Sequence, residues 1–156
     1  MAISVPIELG YEFSVKSPYK DVFALLSNVP ESVSHFPKVD QLVDMGDGVF
    51  RWEMKKVGIG TISLQTVYAS KYASDAKKGT IVWTPVKGVG NAQVGGSWKL
   101  VDGKKTTALE LKIAGTVEVP MPALMKSVAT PMVKSEFEGL VDQYVDNLIK
   151  RFGGEA

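Results

Sequence analysis

Apolar and polar residues alternate at the start of this chain. Ile7, Leu9, Tyr11, Phe13 and Val15 are separated by Glu8, Gly10, Glu12 and Ser14. A period of two is that of a half-buried strand. The stretch SPYKDVFALL follows. Ser17 suits a helix N-cap, Pro18 the first helical position, and Asp21 falls in the first turn. Residues 28–30 break this short helix. A second one, PESVSHF, opens on Pro30 and stops before Pro37.

The middle of the chain keeps the period of two. Asp47-Gly48 and Asp102-Gly103 are the strongest hairpin signals. The first joins DQLVDM to VFRWEMKKV, where Phe50, Trp52 and Met54 alternate with Arg51, Glu53 and Lys55. Residues 58–60 turn into TISLQTVYASKYA, residues 74–79 into TIVWTPV, and residues 88–90 into NAQVGGSWKL. In the last of these Ala92, Val94, Gly96, Trp98 and Leu100 share a face. After Asp102-Gly103 comes the longest strand, with Leu109, Leu111, Ile113, Val117 and Val119 inward and Glu110, Lys112 and Glu118 outward. This pattern predicts seven strands.

The period then changes to about 3.6. Val133, Phe137, Leu140, Val141, Tyr144, Val145, Leu148 and Phe152 form one apolar stripe of a long helix. Thr130 is placed to cap it, Pro131 to occupy its first turn, and Gly153-Gly154 to end it.

These elements carry a constraint of size. Seven strands at about 4.8 Å spacing make a sheet roughly 34 Å wide. A helix of about 22 residues is about 33 Å long but only about 10–12 Å across. It covers about a third of the sheet, so the sheet must curl around it. Gly95-Gly96 and Gly115 are the places where a bend or bulge costs least. The two short helices and the segment before the long helix must close what remains. Either they fill the interior or an apolar cavity is left between sheet and helix.

Composition narrows the chemistry. The 156 residues fit one domain, 1–156, with 45% hydrophobic and 22% charged residues and a formal net charge of +1. No basic stripe points to nucleic acid. The absence of cysteine excludes disulfides, thiol catalysis and cysteine-bound metals, and fits a reducing compartment. The beginning, MAISVPIELG, carries Pro6 and Glu8 and no basic stretch, unlike a signal peptide. No apolar run approaches the roughly 20 residues of a membrane span. The expectation is a soluble cytoplasmic protein with no cofactor and no metal. GIG and GVG each join two strands with no helix following, so they are not dinucleotide fingerprints.

Two segments resemble a known superfamily. SVKSPYKDVFALLSNVPESVSHFPKV looks like the opening of the START, birch-pollen-allergen and polyketide-cyclase superfamily. VEVPMPALMKSVATPMVKSEFEGLVDQYVDNLIKRF is similar to its closing strand and helix, above all in the carbon-monoxide-dehydrogenase-subunit-G-like branch. The resemblance implies an α+β helix-grip fold: a seven-stranded curved antiparallel sheet wrapped around the long C-terminal helix, with two short helices between strands 1 and 2. It also implies an internal pocket for a hydrophobic or amphipathic small molecule, lipid or polyketide-like, with its mouth near the short helices. Two other roles go with it: a cyclase or dehydratase type of enzyme using the same cavity, or an accessory protein in assembly of a larger complex. Such an accessory protein would dock on a partner or make peripheral contact with a membrane. The oligomeric state stays open.

Candidate ligand-binding residues follow from the inward faces. Tyr11, Thr66 and Tyr68 bring hydroxyls inside, unless the register slips by one residue. Phe50, Trp52, Met54, Leu64, Trp98, Ile113 and Phe137 supply apolar and aromatic surface. Met121, Met125 and Met132 lie among three prolines, with Leu124 and Val128 extending their face. They are either an adaptable lid or filler for a kinked first turn, since methionine suits both. His35 is the single histidine and the one candidate acid or base; it also reads as a helix-end residue bonded to a carbonyl.

Overall fold

The computed structural model describes residues 3–59 and 62–156. Strand β1 (Ile3–Val15) is followed by helices α1 (Tyr19–Ser27) and α2 (Val29–Val33). Then come β2 (Val39–Gly46), β3 (Val49–Met54), β4 (Val57–Ile59), β5 (Ile62–Leu64), β6 (Val67–Asp75), β7 (Thr80–Pro85), β8 (Ala92–Asp102) and β9 (Thr107–Val119). Helix α3 (Lys126–Arg151) closes the order after a single 3-10 turn, Ala123–Met125. Seven strands form one sheet in the order β1-β9-β8-β7-β6-β3-β2, and every pairing in it is antiparallel. β4 and β5 form a separate hairpin.

The main sheet has its seven expected strands, but the extra hairpin corrects two expected boundaries. VFRWEMKKV breaks after Met54, and TISLQTVYASKYA breaks at Gln65 and Thr66. Polar side chains take over backbone bonds there. Asn91 Oδ1 accepts from Val67 N at 2.8 Å and its Nδ2 donates to Gln65 O at 2.9 Å. Gln65 Nε2 donates to Met54 O at 3.1 Å. The expected turn at residues 58–60 is also corrected, for Gly58 and Ile59 belong to β4 and pair with β5, and Gly60 lies outside the described residues.

Turns and caps shift in small ways. Asp47 (φ 54°) and Gly48 (φ 79°) make the expected two-residue hairpin turn, which needs positive φ at both positions. Asp102-Gly103 instead opens a four-residue connection, in which Asp102 Oδ1 accepts from Lys104 N at 2.7 Å and Gly103 N bonds Thr106 O at 2.9 Å. Pro18, not Ser17, is the N-cap residue of α1. The Ser17 hydroxyl is used elsewhere, donating to Phe152 O at 2.8 Å.

Helix α3 differs most. It starts at Lys126, so Thr130 does not cap it and Pro131 lies inside it. Pro131 lacks the N–H that would bond the carbonyl four residues earlier. The turn ahead of it is held instead by packing, for Ala129 and Val133 are fully buried. The expected stripe is otherwise in place. Leu140, Val141, Tyr144, Val145, Leu148 and Phe152 are buried, and Phe137 is partly so. Gly153 (φ 88°) and Gly154 (φ 109°) then reverse the chain. Lys16 N donates to Gly154 O at 3.1 Å and Ala156 N to Ser14 O at 3.0 Å, so the segment after α3 pairs with the end of β1.

The core falls into two clusters, one at each end of the grip. One gathers Ile3, Val5, Trp52, Met54, Tyr68 and Val133; the other gathers Val15, Val22, Trp98, Leu111, Val145 and Leu148. Leu9 and Phe36 pack against both. Gly96 shapes the seam between them. A Cβ there would lie 2.4 Å from the Lys112 carbonyl oxygen and 2.6 Å from the Trp83 ring, so glycine is what lets both come this close.

Gly96→Ala is expected to lower the unfolding free energy by about 1–3 kcal/mol in urea titrations, the usual cost of overpacking. Gly139→Ala is the matched control. Nothing lies within 4 Å of its added Cβ, and it is a helix-interior position. It is expected to stabilise by about 0.5–1 kcal/mol.

Candidate functional site

A cavity of about 70 Å³ lies where the two core clusters meet. Its floor is the inner face of the sheet, its roof is α3 through Phe137, Val141 and Tyr144, and α1, α2 and Phe36 close one side. Among the described residues, no Asp, Glu, Lys, Arg or His contributes to the lining. Its surroundings are aromatic. Trp52 stacks on Tyr68 (5.4 Å between ring centres) and Tyr72 on Trp83 (5.7 Å). Phe36 meets Trp52 edge-on at 5.3 Å and Tyr144 at 5.1 Å, and so wedges between the sheet wall and the helix.

Polar atoms in the lining are few. The Ser32 hydroxyl lies 2.5 Å from the Tyr144 hydroxyl, tying α2 to α3. Trp52 Nε1 donates to the Tyr72 hydroxyl at 3.0 Å. The Tyr68 hydroxyl has no hydrogen-bond partner among the described residues. Burial pushes the Tyr144 hydroxyl up to about 12, against the opposing pull of its bonds to Ser32 and Trp98. Burial also raises Tyr68 and Tyr72 well above the ordinary phenol value. All three therefore stay protonated through neutral pH, and donate or accept hydrogen bonds without charge.

Of the residues expected from sequence, Trp52, Met54, Tyr68, Trp98, Ile113 and Phe137 line this cavity. The others are elsewhere. Leu64 and Thr66 are buried beside α3 in a much smaller cleft of about 10 Å³, which the β4–β5 hairpin helps to wall. Phe50 faces inward but packs edge-on against Tyr72 at 5.9 Å. Tyr11 bonds Asp142 at 2.5 Å and serves as a latch between β1 and α3; burial first and that bond second raise its pKa.

The methionine segment is not a lid over the cavity. Met121 is buried in the core but does not line the space, and Met125 and Met132 are 40% and 39% exposed. Pro122 is extended (φ −61°, ψ 149°), so the helical turn begins after it and Met121 cannot share a helix face with Met125. His35 also stands outside the lining. Its Nδ1 lies 3.0 Å from Glu31 O, the helix-end bonding that its position suggested.

Sequence reasoning passed over Ser32, Phe36, Tyr72, Trp83 and Tyr144 as ligand contacts. Tyr72 was within reach, because the period of two that turns Tyr68 inward also turns Tyr72 inward. Among the described residues, no group of three or more His, Cys, Asp or Glu side chains is placed to hold a metal ion.

The architecture has close relatives in shape. A START superfamily protein of Mycobacterium smegmatis aligns over 93% of this chain and 96% of its own, with a TM-score of 0.65 at 14% identity. The fold is the START-like helix grip. A Streptomyces aromatase/cyclase shares the grip over 93% of this chain and 90% of its own (TM-score 0.62, 15% identity), as does a Thermus thermophilus protein over 93% and 96% (TM-score 0.66, 15% identity). No family model and no curated protein matches the chain by sequence.

Raised tyrosine pKa values have a consequence at alkaline pH. In the unfolded chain the phenols ionise near 10, whereas in the grip they hold their protons to higher pH. The folded state therefore binds more protons between these values, and stability falls as pH rises through them. It is unaffected by these groups below about pH 9. Tyr144→Phe is expected to make the loss of melting temperature between about pH 10 and 12 shallower. Phenolate absorbance followed against pH checks the assignment.

Proposed function

We propose that this protein binds a hydrophobic or amphipathic small molecule in the cavity between sheet and α3, with the buried part of the ligand uncharged. The observation that carries this reading is the lining itself: aromatic and aliphatic surface, a few hydroxyls, and no ionised group. A charge taken into such a space loses its hydration and gains no partner, at a cost of several kcal/mol or more. A carbonyl or hydroxyl would instead find the Tyr68 hydroxyl, which has no hydrogen-bond partner among the described residues.

Binding requires the cavity to grow. About 70 Å³ is less than half of the roughly 150 Å³ known to admit benzene. Phe36 is the side chain to move, because it is partly exposed and wedges between wall and roof. Helix α2 is one turn held to α3 by the Ser32–Tyr144 bond, and it would move with Phe36.

A cyclase or dehydratase type of enzyme would use the same space, and the likeness in fold to the aromatase/cyclase keeps that reading alongside the first. Its chemistry would rest on neutral hydroxyl donors and on shape. His35 would take no part, since its ring lies outside the lining.

The test is a pair of matched probes, decanol against decanoate and acetonaphthone against naphthoate, read by calorimetry and by the emission of Trp52, Trp83 and Trp98. The neutral member of each pair is expected to bind at least about tenfold more tightly. Tyr68→Phe is expected to weaken acetonaphthone by about threefold to tenfold. If no probe changes stability or tryptophan emission, the cavity is not a ligand site. If the carboxylates bind equally well, the buried part of the ligand is charged and that half of the reading falls.

A further inference from the structure

The small cleft beside α3 adjoins the main cavity. Met54 and Phe137 line both spaces, so two side chains, one from β3 and one from α3, form the partition. One wall of the cleft is Val57 and Leu64, which are paired across the β4–β5 hairpin. The other wall is a single face of α3, where Val133, Phe137 and Leu140 recur at helical spacing. At about 10 Å³ the cleft has room for about one water molecule, so a chain entering it must part its walls. Two features allow that. Met54 is unbranched and turns about three bonds. The hairpin forms a sheet of its own, so it can shift without breaking a pairing of the main sheet.

Charge enters at the rim of this cleft. Lys38, Lys55 and Glu136 line it, whereas the cavity beyond the partition has no ionised residue among those described. Lys55 N donates to Lys38 O at 2.8 Å, which brings the two lysines side by side. Glu136 is engaged with Lys38 at 3.3 Å. Lys55 is exposed and, among the described residues, forms no ion pair. The rim thus carries one cation more than it has carboxylates, and that cation is Lys55. Polarity rises along one line: an aromatic cavity, an aliphatic cleft, then a cationic rim.

From this we infer that the cleft is a second subsite of the same binding site, and that the ligand is a long amphipath whose anionic end rests on Lys55 while its apolar chain passes between Met54 and Phe137 into the cavity. The inference rests on the ligand-binding reading above and names the ligand class. It agrees with an uncharged interior, because the charge stays in water at the rim and only the chain is buried. Chain length then decides the fate of a carboxylate. On a short chain it is either held in the apolar cleft without a partner or keeps the chain from reaching the cavity. On a longer chain it reaches Lys55.

Calorimetry with the intact protein tests this, using decanol against decanoate and tetradecanol against tetradecanoate, all below their micelle concentrations. Acetonaphthone is the reference for the cavity. The alcohol is expected to win by at least about tenfold at ten carbons and by less than about threefold at fourteen. Lys55→Gln is expected to weaken tetradecanoate about threefold to fivefold, the range of an exposed ion pair. Lys56→Gln, on the neighbouring lysine outside the cleft, is the control and is expected to leave it unchanged. Both lysines are exposed, so the melting temperature is expected to stay the same in each variant. The inference is overturned if the tenfold preference persists at fourteen carbons, if Lys55→Gln leaves tetradecanoate binding as it was, or if Lys56→Gln weakens it equally. In each of these cases acetonaphthone still binds and the reading of the cavity stands. If neither acetonaphthone nor any chain binds, the reading of the cavity has itself failed and the subsite goes with it.

Discussion

One helix has to cover a sheet three times its width, and most of this molecule follows from that mismatch. The sheet answers by curling until its edge strands β1 and β2 flank the grip. Even so, α3 touches the inner face along a single line of side chains. The core therefore condenses into two clusters with a seam between them. Leu9 and Phe36 span the seam, and the cavity is what they leave open. The space is thus a remainder of geometry, placed where the fold is hardest to fill.

The chain disclosed the main sheet and the long helix because both have strong periods. Alternation in β1, β8 and β9 predicted the inward faces, and the pairing confirms them: Trp98 opposes Leu111 and Leu100 opposes Leu109. What escaped depends on partners far along the chain. Nothing local at Gln65 and Thr66 says that Asn91 will take the place of a strand neighbour and split one run into two. Pro131 marks a helix start by ordinary rules, and only the buried contacts of Ala129 and Val133 override it. Phe36 lies between helix and strand, where no period applies, yet it stands at the centre of the site. Met125 and Met132 were read as inward by their chemistry alone, and methionine chemistry does not choose a side.

The interior is an electrical blank. The hydroxyls in the lining are neutral over the whole biological pH range, and the ionised groups stand on the rim or outer faces. An apolar space so arranged discriminates chiefly by exclusion, since hydration lost by a charge is not replaced. Three tyrosines and a serine then supply orientation at little cost, because neutral hydroxyls can exchange one partner for another. Such an interior tolerates variety in shape more readily than variety in charge.

Helix α3 is hydrogen-bonded into the fold at one end and held by packing at the other. Its final turn is tied through Phe152 to Ser17, and the segment beyond it is laced to the close of β1. The opposite end follows a proline and has no side-chain cap. Mechanically this is a strut, about 39 Å long for its 26 residues. Ala129 and Val133 seat that end in the core, so a push on its exposed side bears first on packing and not on hydrogen bonds.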